Sequence, residues 1–197
     1  MNTLKAEKRS MDVKAKKLRR EGFVTGNLFG REIEGSIPLK FTKKEIEVLL
    51  KNNNKGSQVM LELDGKTYDA LIKEVDYNPL AHTVEEVDFQ ALVSNEMVHS
   101  TAEIILENEE KVMSGVLQDE LKEVAYKALP ADLVDKIKVD VAGMKIGDTL
   151  RVKDLEIAKN KNIHITTDLE SVIATVTPVH NVVPEAETAT EDAAEEK

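Results

Sequence analysis

Over the first ninety residues, apolar positions recur mostly at every second place, in short runs separated by turn formers. This is how half-buried strands read in a sequence. Residues 3–9 read as a first strand and residues 23–29 as a second. Ile37, Leu39 and Phe41 alternate behind the hairpin connection GREIEG, and Pro38 puts that strand at a sheet edge or with its amide position facing outward. Val59, Leu61 and Leu63 alternate before Asp64-Gly65, a dipeptide that tolerates the positive φ angles of a type I′ turn, and Tyr68, Ala70 and Ile72 alternate after it. A turn at Tyr77-Asn78-Pro79 leads into residues 84–92, VEEVDFQAL, which read as a closing strand. Two stretches follow the helical period instead. Residues 13–21 are rich in helix formers and stop at Gly22. Thr42 with Glu45 forms a capping-box pattern ahead of Ile46, Leu49 and Leu50, and NNNKG ends that helix.

Short strands at close spacing with two inserted helices favour a small barrel over a parallel α/β sheet. From Ser94 the cations thin out and Val, Ile and Thr increase, so a second all-β domain is expected. Its strands fall at residues 102–106, 112–116, 122–129, 137–141, 149–152 and 171–176, divided by turn signals such as Asn108-Glu109 and Gly147-Asp148. From residue 179 the apolar period is lost, and PEAETATEDAAEEK is too acidic and too poor in large apolar groups to offset ordering entropy. The expected organisation is a mainly β protein with domains at 1–93 and 94–178 and a disordered acidic tail at 179–197.

Charge changes this picture more than composition does. No stretch of the 197 residues approaches eighteen consecutive apolar positions, the start MNTLKAEKRS lacks the apolar core of a secretory signal, and there is no cysteine. A cytoplasmic protein with neither disulfide nor thiolate chemistry is expected. The net charge of −10 argues against a nucleic-acid partner until it is divided by position. Residues 1–93 hold 16 cations against 15 anions, whereas residues 94–197 hold 11 against 22. The first twenty residues alone carry eight cations and two anions. Lys14, Lys16, Lys17, Arg19 and Arg20 therefore form a basic helix that feeds a strand, anchored by Leu18, Phe23, Val24, Leu28 and Phe29. Such a run serves either as a solvated face or as a polyanion contact.

Candidate catalysis finds little support. His82, His99, His164 and His180 are scattered, and only His82 with Glu85 and Glu86 hints at a metal set. GxSxG, P-loop, GxGxxG and HExxH motifs do not occur in the chain. Paired carboxylates are so common in an acidic chain that they single out no acid–base pair. The expectation is no enzyme, no cofactor, no metal, no small-molecule substrate and no membrane partner. A cationic helix on a strand-rich platform suits structured RNA, because A-form duplexes expose a wide, shallow minor groove read through shape, phosphate and 2′-hydroxyl contacts.

Three ordered stretches carry a family resemblance. LRREGFVTGNLFG resembles the Leu-Arg-x-x-Gly-x-Val-Pro-Ala-Val-x-Tyr-Gly pattern of the bacterial large-subunit ribosomal protein family that binds 5S ribosomal RNA, also called the general stress protein Ctc family. IKEVDYNPLAHTVEEVDFQAL is similar to that family's second signature, a strand, a proline turn and a His-Val-Asp-Phe strand. ALPADLVDKIKVDVAGMKIGDTLRVKDL is similar to a run in the C-terminal domain of its long, two-domain members. The resemblance implies a six-stranded barrel docked on the minor groove of 5S RNA in the central protuberance of the large subunit. It further implies RNA contacts at Arg9, Lys16, Lys17, Arg19, Phe29, Lys73, Tyr77 and Asp88, to which the basic run adds Lys14 and Arg20; the net charge of −6 over residues 94–184 suits the C-terminal domain to a ribosomal protein neighbour or a spacer role.

The chain departs from the pattern at several places. Met11-Asp12 stands for Gly-Lys, Thr25-Gly26 for Pro-Ala and Phe29 for a tyrosine that could donate a hydroxyl hydrogen bond. Asp76-Tyr77 replaces a Gln/Arg-like pair and Glu86 replaces a histidine, so acid stands where donors are usual. A carboxylate facing phosphate is repelled, and losing one good polar contact costs about 1–3 kcal/mol. Asp76 and Glu86 either erode the RNA surface or point to solvent at its rim. The alternative expectation is a diverged paralogue, a stress-response or protein-interaction module without stable ribosome association.

Overall fold

Alternation becomes burial, strand by strand, in the computed structural model, which describes residues 3–112 and 115–178. In β4 (Gln58–Leu63), Val59, Leu61 and Leu63 turn inward and are buried, while Gln58, Met60 and Glu62 are half covered. β1 (Thr3–Lys8), β2 (Phe23–Phe29), β3 (Ser36–Thr42), β5 (Lys66–Asn78) and β6 (Thr83–Ala91) join it in a closed barrel of order β1-β3-β2-β6-β5-β4. β4 returns to β1 in parallel, and β2 runs parallel to β6. The interior is aliphatic around one aromatic pair, Phe41 and Phe89, whose rings lie 5.5 Å apart and tilted.

Local sequence explains the turns. Asp64 (φ 50) and Gly65 (φ 78) both adopt the left-handed angles of the β4–β5 turn. Helix α2 (Lys43–Asn52) starts on a complete capping box: the Thr42 hydroxyl accepts from the Glu45 amide, and the Glu45 carboxylate accepts from the Thr42 amide. Its Ile46 and Leu49 join the barrel core. Helix α1 (Ala15–Arg20) has no side-chain cap at Lys14, buries only Leu18, and ends before Gly22 at φ 89.

Pro38 corrects one expectation, because β3 is no edge strand: it lies between β1 and β2. The Pro38 carbonyl accepts from the Arg9 amide at 2.9 Å. A strand residue's nitrogen and oxygen point to the same side, so the missing amide hydrogen faces β1, whose paired register with β3 already ends at Leu39. Closure of the barrel removes the edge, while the end of β1 leaves the proline no donor to supply.

Seven more strands follow among the described residues. β7 (Val98–Glu107), β9 (Glu123–Ala128), β10 (Lys136–Asp140) and β12 (His164–Ile165) form one sheet of order β10-β7-β9-β12, and β8 (Val116–Asp119), β11 (Thr149–Arg151) and β13 (Val172–Thr177) form another of order β11-β13-β8. Both sheets contribute to one core around the fully buried Tyr126. The Tyr126 hydroxyl donates to the Val134 carbonyl at 2.7 Å and accepts from the Val134 amide at 2.8 Å, and burial raises its pKa above that of a free phenol. The strand expected at 112–116 meets a described strand at Val116, and residues 113 and 114 lie outside the described residues. Asn108, at φ 62, opens a 3₁₀ turn over Glu109–Lys111, and the strand runs over Val116–Asp119 beyond Gly115 at φ 91. β12 has two residues, too few to show any period. The acidic stretch 179–197 lies outside the described residues.

Candidate nucleic-acid interface

The basic helix is short, and its cations divide into two kinds. Lys14, Lys16, Lys17 and Arg20 are exposed, and three basic residues in the last turn suit the negative end of the helix dipole. The Lys17–Glu21 pair, 3.9 Å apart with both groups largely in solvent, offsets little of that charge. Arg19 differs. Its guanidinium pairs with Glu85 at 2.9 Å and Glu86 at 3.2 Å, and its Nε donates to the Glu85 carbonyl at 3.2 Å. All three side chains are only about a third exposed, so screening is weaker than at the surface. Arg19 therefore ties α1 to β6 over the buried Thr25 and is not a free cation. Arg9 shapes the approach to α1: Nη2 donates to the Val13 carbonyl at 3.2 Å, while Nε is buried with no partner among the described residues.

Beside α1, the outer face of β2, β6 and β5 is acidic. Strand register sets Asp76 opposite Glu86 and Glu74 opposite Asp88, and the four carboxylates line a shallow hollow of about 220 Å³. Like charges directly opposite across a ladder destabilise it unless other groups compensate. Asn27 on β2 supplies part of that compensation: its side-chain amide donates to Glu86 at 3.3 Å and to Asp88 at 3.0 Å, and its backbone amide donates to Asp88 at 3.0 Å. Glu74 and Asp76 are exposed and pair with no cation among the described residues. Close contact of β2 with β6 depends on Gly26, since a Cβ there would lie 2.1 Å from the Val87 carbonyl oxygen.

The other expected residues spread outward from this face. Phe29 is half-buried near the end of β2, opposite Gln90. Tyr77 is 54% exposed at the β5–β6 turn, its hydroxyl 3.2 Å from His82 Nδ1. Lys73 sits at a bulge of β5 between Ile72 and Glu74, and its ammonium donates to the His99 carbonyl of the second β unit at 2.8 Å. Burial and then nearby Lys55 lower its pKa. α1, Arg19 and Asp88 thus share one face, whereas Lys73 belongs to the seam between the barrel and the following sheets. His82, Glu85 and Glu86 do not converge: Glu85 accepts from the Asn78 side chain at 2.7 Å and pairs with Arg19, and no His/Asp/Glu group suited to a metal occurs among the described residues. Sequence reasoning missed Asn27 and Glu74, read Glu85 only as part of a metal set, and read Thr25 only as a departure from the family pattern. Thr25 and Asn27 were readable from the period of two along β2, which turns them to the side opposite Val24 and Leu28.

Comparison with known proteins adds an independent observation. Residues 4–89 match the model of the Ribosomal L25p family, and residues 97–180 match that of the Ribosomal protein TL5, C-terminal domain. The large ribosomal subunit protein bL25 of Carboxydothermus hydrogenoformans is 32% identical, over 96% of this chain and 98% of that protein. Those of Akkermansia muciniphila and Bacillus velezensis are each 30% identical, over 100% and 98% of this chain and 98% and 94% of their own.

Proposed function

The chain belongs to the ribosomal L25p family of structural, non-catalytic large-subunit proteins, and from that premise we propose that its barrel binds 5S ribosomal RNA through α1 and the adjoining strand face. The observation that carries this reading is the set of four exposed cations, Lys14, Lys16, Lys17 and Arg20, on one short helix and its N-cap in a chain of net charge −10. They are placed to neutralise successive phosphates along a shallow RNA groove. Arg19 and Asp88 set the attitude of the helix and of β2, Arg9 shapes the turn before it, and Phe29 and Tyr77 offer apolar rings at the rim. Lys73 contacts RNA only where the RNA reaches the seam. No helix among the described residues is long and apolar enough to cross a membrane, and a ribosome-bound site in the bacterial cytoplasm follows from the proposed role. The C-terminal sheets are proposed to meet a protein neighbour, since residues 94–184 carry a net charge of −6 and repel phosphate.

A mobility-shift titration with 5S RNA across a salt series tests this. Affinity should fall steeply with salt, and Lys16→Gln should weaken binding and reduce the log–log slope by about 0.7–0.9, the value for one neutralised phosphate. Absence of a complex at low salt, or a slope untouched by Lys16→Gln, would overturn it. The acidic hollow favours a second reading, a diverged relative whose RNA affinity is too weak to hold it on the ribosome. In that case 5S RNA should bind only at low salt.

A further inference from the structure

We propose that the cleft between the barrel and the C-terminal sheets is a binding site for a phosphate-class oxyanion. The cleft encloses about 280 Å³; the barrel contributes Lys55, Leu71 and Lys73, and the second unit contributes His99, Ser100 and Thr101. Its walls are fixed in place. Gly56, at φ 88, packs so closely that a Cβ would lie 1.9 Å from the Thr101 carbonyl oxygen, and Ser57 donates to Asp135 at 3.2 Å across the seam. Leu71, between the inward-facing Ala70 and Ile72, is buried on the outer side of the barrel, so it gives the cleft an apolar floor.

Two lysines, Lys55 and Lys73, line the cleft over that floor. The only acceptor that the Lys73 ammonium meets is the neutral His99 carbonyl, at 2.8 Å, and no carboxylate lies within ion-pair distance of it among the described residues. Lys127 stands directly opposite His99 in the β7–β9 ladder and is likewise without an ion pair among the described residues. Lys55 reaches Glu123 only at 3.8 Å, in solvent. Burial, then Lys127, then Lys73 lower the pKa of His99, and burial, then Lys55, lower that of Lys73. Lys73 and Lys127, without an ion pair among the described residues in so acidic a chain, leave an unmet demand for negative charge. Glu74, the one carboxylate lining the cleft, also lines the acidic hollow and marks the rim beyond which an anion is repelled. The volume suits one or two phosphate groups, and the same chemistry serves an RNA backbone phosphate or a free inorganic oxyanion. The site does not depend on RNA contact by α1.

The test is isothermal titration of the full chain with inorganic pyrophosphate in low-salt buffer, with His imidazole proton resonances followed in parallel. Saturable binding is expected, with the His99 resonances moving and those of His82 unmoved. Lys73→Gln should weaken binding about tenfold or more, as for loss of one charge-assisted hydrogen bond. Lys73→Arg should keep most of the affinity, and Lys16→Gln all of it. Unchanged thermal melting of the Gln variant shows that the fold is intact. Addition of 5S RNA separates the sources: displacement of pyrophosphate assigns the cleft to backbone phosphate, and simultaneous binding assigns it to a free oxyanion. Should RNA fail to bind at all, the α1 reading falls while the pyrophosphate result stands. The proposal is overturned if pyrophosphate produces neither heat nor movement of His99, or if Lys73→Gln binds it as the unaltered chain does.

Discussion

At the residue scale, the barrel's geometry hangs on positions whose neighbours are distant in sequence. Gly26→Ala would drive a Cβ into the Val87 carbonyl, and neither strand can retreat in a closed barrel. A loss of about 3 kcal/mol or more in a urea melt is expected, at or beyond the upper end of ordinary overpacking. Glu86 holds both Arg19 and Asn27, so Glu86→His should leave Arg19 tied to Glu85 alone and remove one charge from the acidic hollow. If that face meets RNA, 5S affinity rises by about 1–3 kcal/mol in a binding titration; unchanged affinity would put Glu86 outside the contact. His99 gives a pH signature. With its pKa held below the ordinary 6.5, the folded chain binds fewer protons than the unfolded chain between the lowered value and 6.5, so stability rises with pH across that window. Thermal midpoints should therefore fall as pH drops through 6.5, and His99→Gln should flatten the fall.

At the element scale, local signals were the legible ones. The Thr42–Glu45 box and the Asp64-Gly65 turn need only neighbouring residues, and both form as read. Thr42→Ala should cost about 1 kcal/mol of stability in chemical denaturation, while the m-value stays unchanged. Strands with clean alternation were equally plain. What escaped depends on pairing across the chain. Pro38 reads as an edge residue because nothing nearby in sequence reveals that β1 passes it and ends. Arg19 reads as a free cation because its partners, Glu85 and Glu86, are more than sixty residues away. In the second unit, β12 has two residues, too few to carry a period, and it went unseen.

At the scale of the whole molecule, net charge conceals what its distribution discloses. An acidic chain keeps four exposed cations on α1 and its N-cap and sets two lysines with a histidine in the lining of the seam, with a carboxylate hollow adjoining both regions. Such a surface orients a polyanion as much as it attracts one, since phosphate is favoured at either side and repelled between them. Co-sedimentation of the full chain with large ribosomal subunits at moderate salt weighs these charges most directly. Stoichiometric recovery with the large subunit is expected, declining as salt rises and declining earlier for Lys16→Gln. Recovery only at the top of the gradient, or in amounts far below the subunit at every salt concentration, would contradict the role proposed for α1.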